Sequence, residues 1–209
     1  MRKILIVILV SLFILTIFTP GLAQDKNEEV NIKINSLTGT VYRKTDQGFF
    51  DFFQTVVWTR ILDNSNIKVG ETIKTDPDSM ISLNIGNFNR VEISSDSILS
   101  IEQDTNSITQ KIGVEKGVVW INTTLGNNEE FDLQINTPSS IISTGQAILK
   151  LEIIRGKTFL YMQTGEAVIK EKTTQAEEVI SEGELAIVEE KTIKLFDKIS
   201  EAGKDSTTD

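Results

Sequence analysis

The sequence predicts an all-β protein, and three observations carry that prediction. Apolar and polar residues alternate through most of the chain, beginning with Val30, Ile32 and Ile34 against Asn31, Lys33 and Asn35. Clusters of turn formers separate the alternating runs, among them Asp63-Asn64-Ser65-Asn66, Gly126-Asn127-Asn128 and Arg155-Gly156-Lys157. Almost no apolar run repeats at helical spacing. A period of two puts each apolar set on one face of a pleated strand and leaves the polar set to water. Short strands closed by turn clusters indicate rolled or stacked, mostly antiparallel sheets of the β-sandwich or β-roll kind.

The chain opens with an address segment rather than with the fold. Met1-Arg2-Lys3 is a short positive start, and Ile4 to Phe18 is apolar apart from Ser11 and Thr16. Thr19-Pro20 breaks the run, and Gly21-Leu22-Ala23 supplies the small residues that a signal peptidase reads, so residues 1–23 form a signal helix cleaved before Gln24. The alternative is an uncleaved membrane anchor. The uncharged stretch from Ile4 to Gln24 is 21 residues long. Its apolar part falls short of the ~20 residues a spanning helix needs, and Pro20-Gly21 interrupts it. No Cys follows, which excludes attachment of a lipid through an N-terminal cysteine. Losing 23 of 209 residues, with Arg2 and Lys3 among them, leaves 186 residues and moves the formal charge from −9 to −11. A single domain of that size buries about 70% of the surface its unfolded chain exposes. That core must do the stabilising, because no disulfide can form.

Residues 24–190 read as strands throughout. Ile81, Leu83 and Ile85 share one parity, as do Ile108, Ile112 and Val114. Phe131, Leu133 and Ile135 follow, and then Ala147, Leu149, Leu151 and Ile153. A glycine opens a strand at Gly39, Gly70, Gly117, Gly165 and Gly183, with spacings of 31, 47, 48 and 18 residues that exclude a fixed-period solenoid. Each is expected to be a turn residue with positive φ just before pairing resumes. Residues 191–209 differ. Ile193, Phe196 and Ile199 predict a short amphipathic helix over Thr192–Glu201, and Gly203–Asp209 reads as a disordered tail.

Composition removes much of site chemistry. With no Cys and no His, thiol nucleophiles, Cys/His zinc sites, haem held through His and Ser-His-Asp triads are all excluded. The acid excess argues against a nucleic-acid surface. The most concentrated apolar segment is Phe49, Phe50, Phe52 and Phe53, followed by Val56, Val57 and Trp58. Aromatics suit a half-buried strand. Yet neighbouring Phe residues point both ways, so one face can stay exposed as a partner surface. Asp76-Pro77-Asp78-Ser79 spaces carboxylates as calcium loops do, but lacks the glycine and glutamate that would complete one; a type I turn accounts for it. Glu129-Glu130 and Glu177-Glu178 read as solvated acids, and no motif supports a Ser-Lys nucleophile. Asn122-Thr123-Thr124 fits a glycosylation acceptor at a strand end. We assign no catalytic residue, cofactor or metal ligand.

In order, these landmarks resemble the FecR domain family, from about Ile34 to Val188. The residues that carry the resemblance are Gly39 to Val41, then Gly70-Glu71-Thr72-Ile73-Lys74-Thr75, then Met80 to Ile85 with Arg90 to Ile93. They continue with Ser97 to Ile101 and Gly117 to Ile121. A strand then enters Thr-Pro at Phe131 to Pro138, and the pair Gly165-Glu166-Ala167-Val168 with Glu182-Gly183-Glu184 closes the series. Two departures stand out. The family's Gly-Thr after Thr-Pro is represented by Thr144-Gly145-Gln146, one residue early, and Phe49 to Trp58 reads as an insertion. The resemblance implies the extracytoplasmic domain of bacterial regulators and other exported proteins. In signalling members an N-terminal cytoplasmic segment holds a sigma factor. With only Met1-Arg2-Lys3 ahead of the apolar run, that role is not expected here. The expected function is a non-enzymatic binding, sensing or scaffolding module of the periplasm or cell exterior. Its expected partner is an envelope protein or polysaccharide, with no nucleic acid, and with membrane contact only if the N-terminal segment stays uncleaved.

Overall fold

The computed structural model describes residues 31–44, 57–86, 89–102, 109–124 and 133–197. The expected signal segment, Phe49–Phe53, Glu129-Glu130 and the expected tail lie outside them. Every regular element among the described residues is a strand. The first seven are β1 (Ile32–Thr38), β2 (Val41–Lys44), β3 (Trp58–Arg60), β4 (Thr72–Thr75), β5 (Met80–Ile85), β6 (Asn89–Ile93) and β7 (Ile98–Glu102). The rest are β8 (Gln110–Thr123), β9 (Leu133–Asn136), β10 (Ser140–Ile154), β11 (Lys157–Glu171), β12 (Glu177–Ser181), β13 (Leu185–Glu189) and β14 (Thr192–Phe196).

All belong to one hydrogen-bonded sheet. Its main path is β14-β13-β11-β10-β9-β8-β7-β4-β2-β3; β1, β5 and β6 join through β8, and β12 joins through β11. Among the described strands only β8 and β9 pair in parallel. The three long strands change neighbours midway. The first part of β8 lies between β7 and β9, and the second part between β6 and β10. Likewise β10 leaves β9 for β8, and β11 leaves β13 for β12. The apolar faces of both halves merge into one core, from Val41, Ile73 and Ile135 in one half to Leu83, Leu151 and Leu160 in the other. The expected alternation holds: Ile81, Leu83, Ile85, Ile112, Val114, Leu133, Ile135, Ala147, Leu149, Leu151 and Ile153 are all buried. Each such Ile or Leu contributes about 1.5–3 kcal/mol relative to exposure.

The change of neighbours requires a break in the ladder. Register slips in β7–β8 between Ile98 and Leu99, and in β10–β11 between Thr144 and Ala147. All five strand-opening glycines have positive φ. Two of them, Gly117 and Gly165, are not turn residues as expected but lie inside β8 and β11 at these bulges. The Thr144-Gly145-Gln146 departure is the matching bulge in β10. Bulges free backbone groups, and buried hydroxyls take them up. Val118 N donates to Ser97 Oγ at 3.0 Å. Ala147 N donates to Thr123 Oγ1 at 2.8 Å, and that hydroxyl donates in turn to Gly145 O. Thr123 of the glycosylation triplet is therefore a buried structural residue.

Two other expectations are corrected. Thr192–Phe196 is a strand, not a helix: Lys191 at φ 67 closes a two-residue hairpin, so the chain runs back along β13 in register from Glu189–Thr192 to Leu185–Phe196. Pairing with an existing edge outweighs the weak helical spacing of three apolar residues. The Asp76–Ser79 turn is not type I, because Asp78 has φ 57 where that turn needs a negative angle. Asp tolerates the left-handed region, and Ser79 Oγ holds the turn by donating to Pro77 O at 3.2 Å and accepting Thr40 N at 2.8 Å.

A Cβ at Gly117 would collide with Ser97 Oγ and lie 2.5 Å from Ser97 Cα, whereas Gly156, at φ 78 in the β10–β11 turn, faces open space. Gly117→Ala is expected to cost about 2–4 kcal/mol, and Gly156→Ala about 1 kcal/mol for backbone strain alone. Denaturant unfolding of the two variants checks this; equal losses would rule out crowding at the β8 bulge.

Candidate functional site

The Thr137-Pro138 turn between β9 and β10 sits at one end of the sheet, beside a cleft of about 530 Å³. Pro138 pre-sets the turn. Thr137 N donates to Ser140 O at 2.9 Å, and Ser140 N donates to Thr137 Oγ1 at 2.9 Å. Behind the turn lies a cluster of buried hydroxyls. Thr158 Oγ1, from β11, donates to Thr137 Oγ1 at 2.7 Å, and Ser139 Oγ lies 2.8 Å from Thr158 Oγ1 and 3.2 Å from Val188 O of β13. The motif thus ties three strands together.

Charged groups line the cleft, and each that matters is already engaged. Lys172 Nζ donates to Thr137 O at 2.5 Å. The buried Glu171 carboxylate accepts Thr173 N at 2.9 Å, Thr174 N at 2.5 Å and Thr174 Oγ1 at 2.6 Å, clasping the β11–β12 turn. Burial is the largest single influence on Glu171 and favours its neutral form. The hydrogen bonds from Thr174 and Thr173 together outweigh it and hold the pKa at about 2. Glu189 bridges Lys157 Nζ at 2.5 Å and Lys194 Nζ at 2.8 Å, and these two cations hold its pKa at about 2 as well. Neither carboxylate has a proton to give near neutral pH, and their oxygens already accept hydrogen bonds, so neither suits general acid–base work.

Of the predicted partner surface, Trp58 is described. It lies half-buried on the edge strand β3, and Lys74 Nζ sits 5.9 Å from the ring centroids of both Trp58 and Tyr42. Phe49, Phe50, Phe52 and Phe53 belong to the connection between β2 and β3 and lie outside the described residues. Asp76 of the rejected calcium loop is 3.7 Å from Lys74 Nζ, and Glu177 is 3.0 Å from Lys170 Nζ. Glu71 of the glycine-acid motif is buried, pairs with Arg43 at 3.3 Å and accepts Lys68 N at 3.2 Å. Its role is to fasten the turn before β4. Sequence reasoning missed Glu171 and the Thr158 hydroxyl. The signal within reach was the run Thr137-Pro138-Ser139-Ser140, whose small polar residues suit a buried turn.

Residues 71–167 match the family described as FecR protein. The match spans Glu71 through the Thr-Pro turn to Ala167, inside the longer resemblance read from the sequence. Two crystal structures of a protein from Parabacteroides distasonis ATCC 8503, named provisionally as an anti-sigma factor, share the fold. Each gives a TM-score of 0.52, at 10% and 9% identity, over 61% of this chain and 59% of theirs. The chain thus spans less than two thirds of these neighbours' length, and at such identity the likeness is one of fold. No curated protein matches in sequence.

Both lowered carboxyl groups have folded pKa values below their ordinary 4.5, so their stabilisation is present above that value and is lost as pH falls from about 4.5 towards about 2. The midpoint of thermal unfolding, followed by circular dichroism, is expected to drop through that window. Glu171→Gln with Glu189→Gln should flatten the drop; an unchanged acid limb in the double variant would show that other groups govern it.

Proposed function

We propose that the protein is an exported, non-enzymatic binding module of the bacterial cell envelope, periplasmic or extracellular, that senses or scaffolds by surface contact with an envelope protein or polysaccharide. The observation carrying this reading is the FecR match at residues 71–167 on an all-β fold. The family is regulatory in character, and the fold neighbours' description as an anti-sigma factor favours recognition over catalysis in this chain too. The engaged state of Glu171, Lys172 and Glu189 supports the same choice. Phe49, Phe50, Phe52, Phe53 and Trp58 are the proposed partner surface; of these Trp58 lies on β3, an edge strand among the described residues. The charge of −11 expected after cleavage before Gln24 favours solubility of the remaining surface.

Crosslinking in intact envelopes tests the surface. Phe52→Asp with Phe53→Asp is expected to abolish partner capture while thermal unfolding stays as in the parent; a variant that no longer folds would make the segment part of the core. The uncharged stretch from Ile4 to Gln24 favours a second reading, a membrane-tethered structural or adhesion module. N-terminal sequencing of the exported protein separates the two: a start near Gln24 supports the free module, and a retained Met1 supports the tether.

A further inference from the structure

One outer face of the sheet carries a row of side chains that strand register sets side by side. Trp120 of β8 stands opposite Lys150 of β10, Lys150 opposite Tyr161 of β11, Tyr161 opposite Leu185 of β13, and Leu185 opposite Phe196 of β14. The adjacent residues Val119, Leu151, Leu160 and Ala186 are buried in the core, so pleating turns the row outward. Trp120, Tyr161 and Phe196 are 36%, 40% and 47% exposed. These rings recur on every second strand, roughly 9.5 Å apart at the usual strand separation. Lys150 stands between Trp120 and Tyr161, and Leu185 between Tyr161 and Phe196. Lys150 Nζ lies 6.0 Å from the Trp120 ring centroid and 3.7 Å from Glu152, and Glu92, opposite Trp120, pairs with Arg90 at 2.7 Å.

We propose that this face is a platform for an uncharged, extended β-linked polysaccharide lying across the strands, with alternate sugars stacked on Trp120, Tyr161 and Phe196. The inference rests on the binding-module reading and adds a second surface, apart from the β2–β3 edge. Three features select the ligand. Successive sugars of an extended β-1,4-linked chain alternate in facing, so sugars presenting the same face recur once per disaccharide, a length of the same order as two strand spacings. The C–H face of a pyranose packs on the electron-rich face of an aromatic ring, while Lys150, Glu152 and Glu92 supply donors and acceptors for hydroxyls. Lys150, Glu152 and Glu92 put charge around the Trp120 end of the row, where the core of a stable protein interface is depleted of charged residues. The formal charge of −9 disfavours an acidic polymer.

Trp58→Phe leaves Trp120 as the single Trp of a chain that has two, and so makes its emission a reporter of the platform. The full chain carrying this change is titrated with chitohexaose and cellohexaose, and its retention on insoluble chitin and cellulose is measured. A saturable emission change with at least one hexaose is expected. Trp120→Ala with Tyr161→Ala should weaken retention at least tenfold with thermal unfolding unchanged, and Phe196→Ala should weaken it less. If the double variant loses its fold, Phe196→Ala alone decides. No retention of the parent on either polymer, or equal retention of parent and variants, would overturn the proposal. A changed oligomeric state in light scattering of the double variant, without any sugar effect, would do so too and would mark the face as a self-contact. Envelope crosslinking that persists in the double variant would leave the binding-module reading standing, whatever the sugars show.

Discussion

β8, β10 and β11 run through both halves of the sheet, and the remaining strands depend on their ability to bend. A straight strand of fifteen residues extends about 50 Å, and its two ends would share nothing to pack against. The bulges at Gly117, Thr144–Ala147 and Gly165 let each long strand exchange one set of neighbours for another and bring the two apolar faces together. In a chain without cysteine, that shared core is the main source of stability. Glycine at 117 follows from the same requirement: Ser97 approaches so closely that no side chain fits.

Bending a sheet leaves backbone groups without ladder partners, and this protein answers with hydroxyls. Ser97 and Thr123 serve the bulges of β8 and β10, and Thr144 Oγ1 donates to Glu166 O at 2.9 Å on β11. At the far end of the sheet Thr137, Ser139, Ser140 and Thr158 do the same for the Thr-Pro turn. Glu171 closes the next turn with three donors. Satisfied networks of this kind specify one register, since a slip by one residue would strand every partner at once. The residues that make the FecR segment recognisable are therefore largely those that hold its turns and bulges in shape, and their chemistry is spent internally.

The charged groups of the cleft beside the Thr-Pro turn are taken up by the fold's own partners, while Trp58, Trp120, Tyr161 and Phe196 lie on outer faces and at the sheet's edges. Tyr42, Lys74 and Trp58 cluster at the β3 edge, and Trp120, Lys150, Tyr161 and Phe196 line the face that ends at β14. Both arrangements place flat apolar rings beside a lysine ammonium group.

The amino-acid pattern by itself settled the all-β class, the members of the core and the places where the chain turns, because a period of two and the φ preferences of Gly, Pro and Asp act within a few residues. It also marked Thr137-Pro138, Gly117 and Gly165 as special positions, though without their roles. The pairing of strands distant in sequence was beyond it. Nothing near Phe196 announces that Leu185 and Tyr161 lie beside it, nor that Thr192 to Phe196 would prefer the edge of β13 to a helical turn. Register, bulge partners and the company each outward side chain keeps are long-range choices, set by how two faces close on one core, and only the folded sheet makes them.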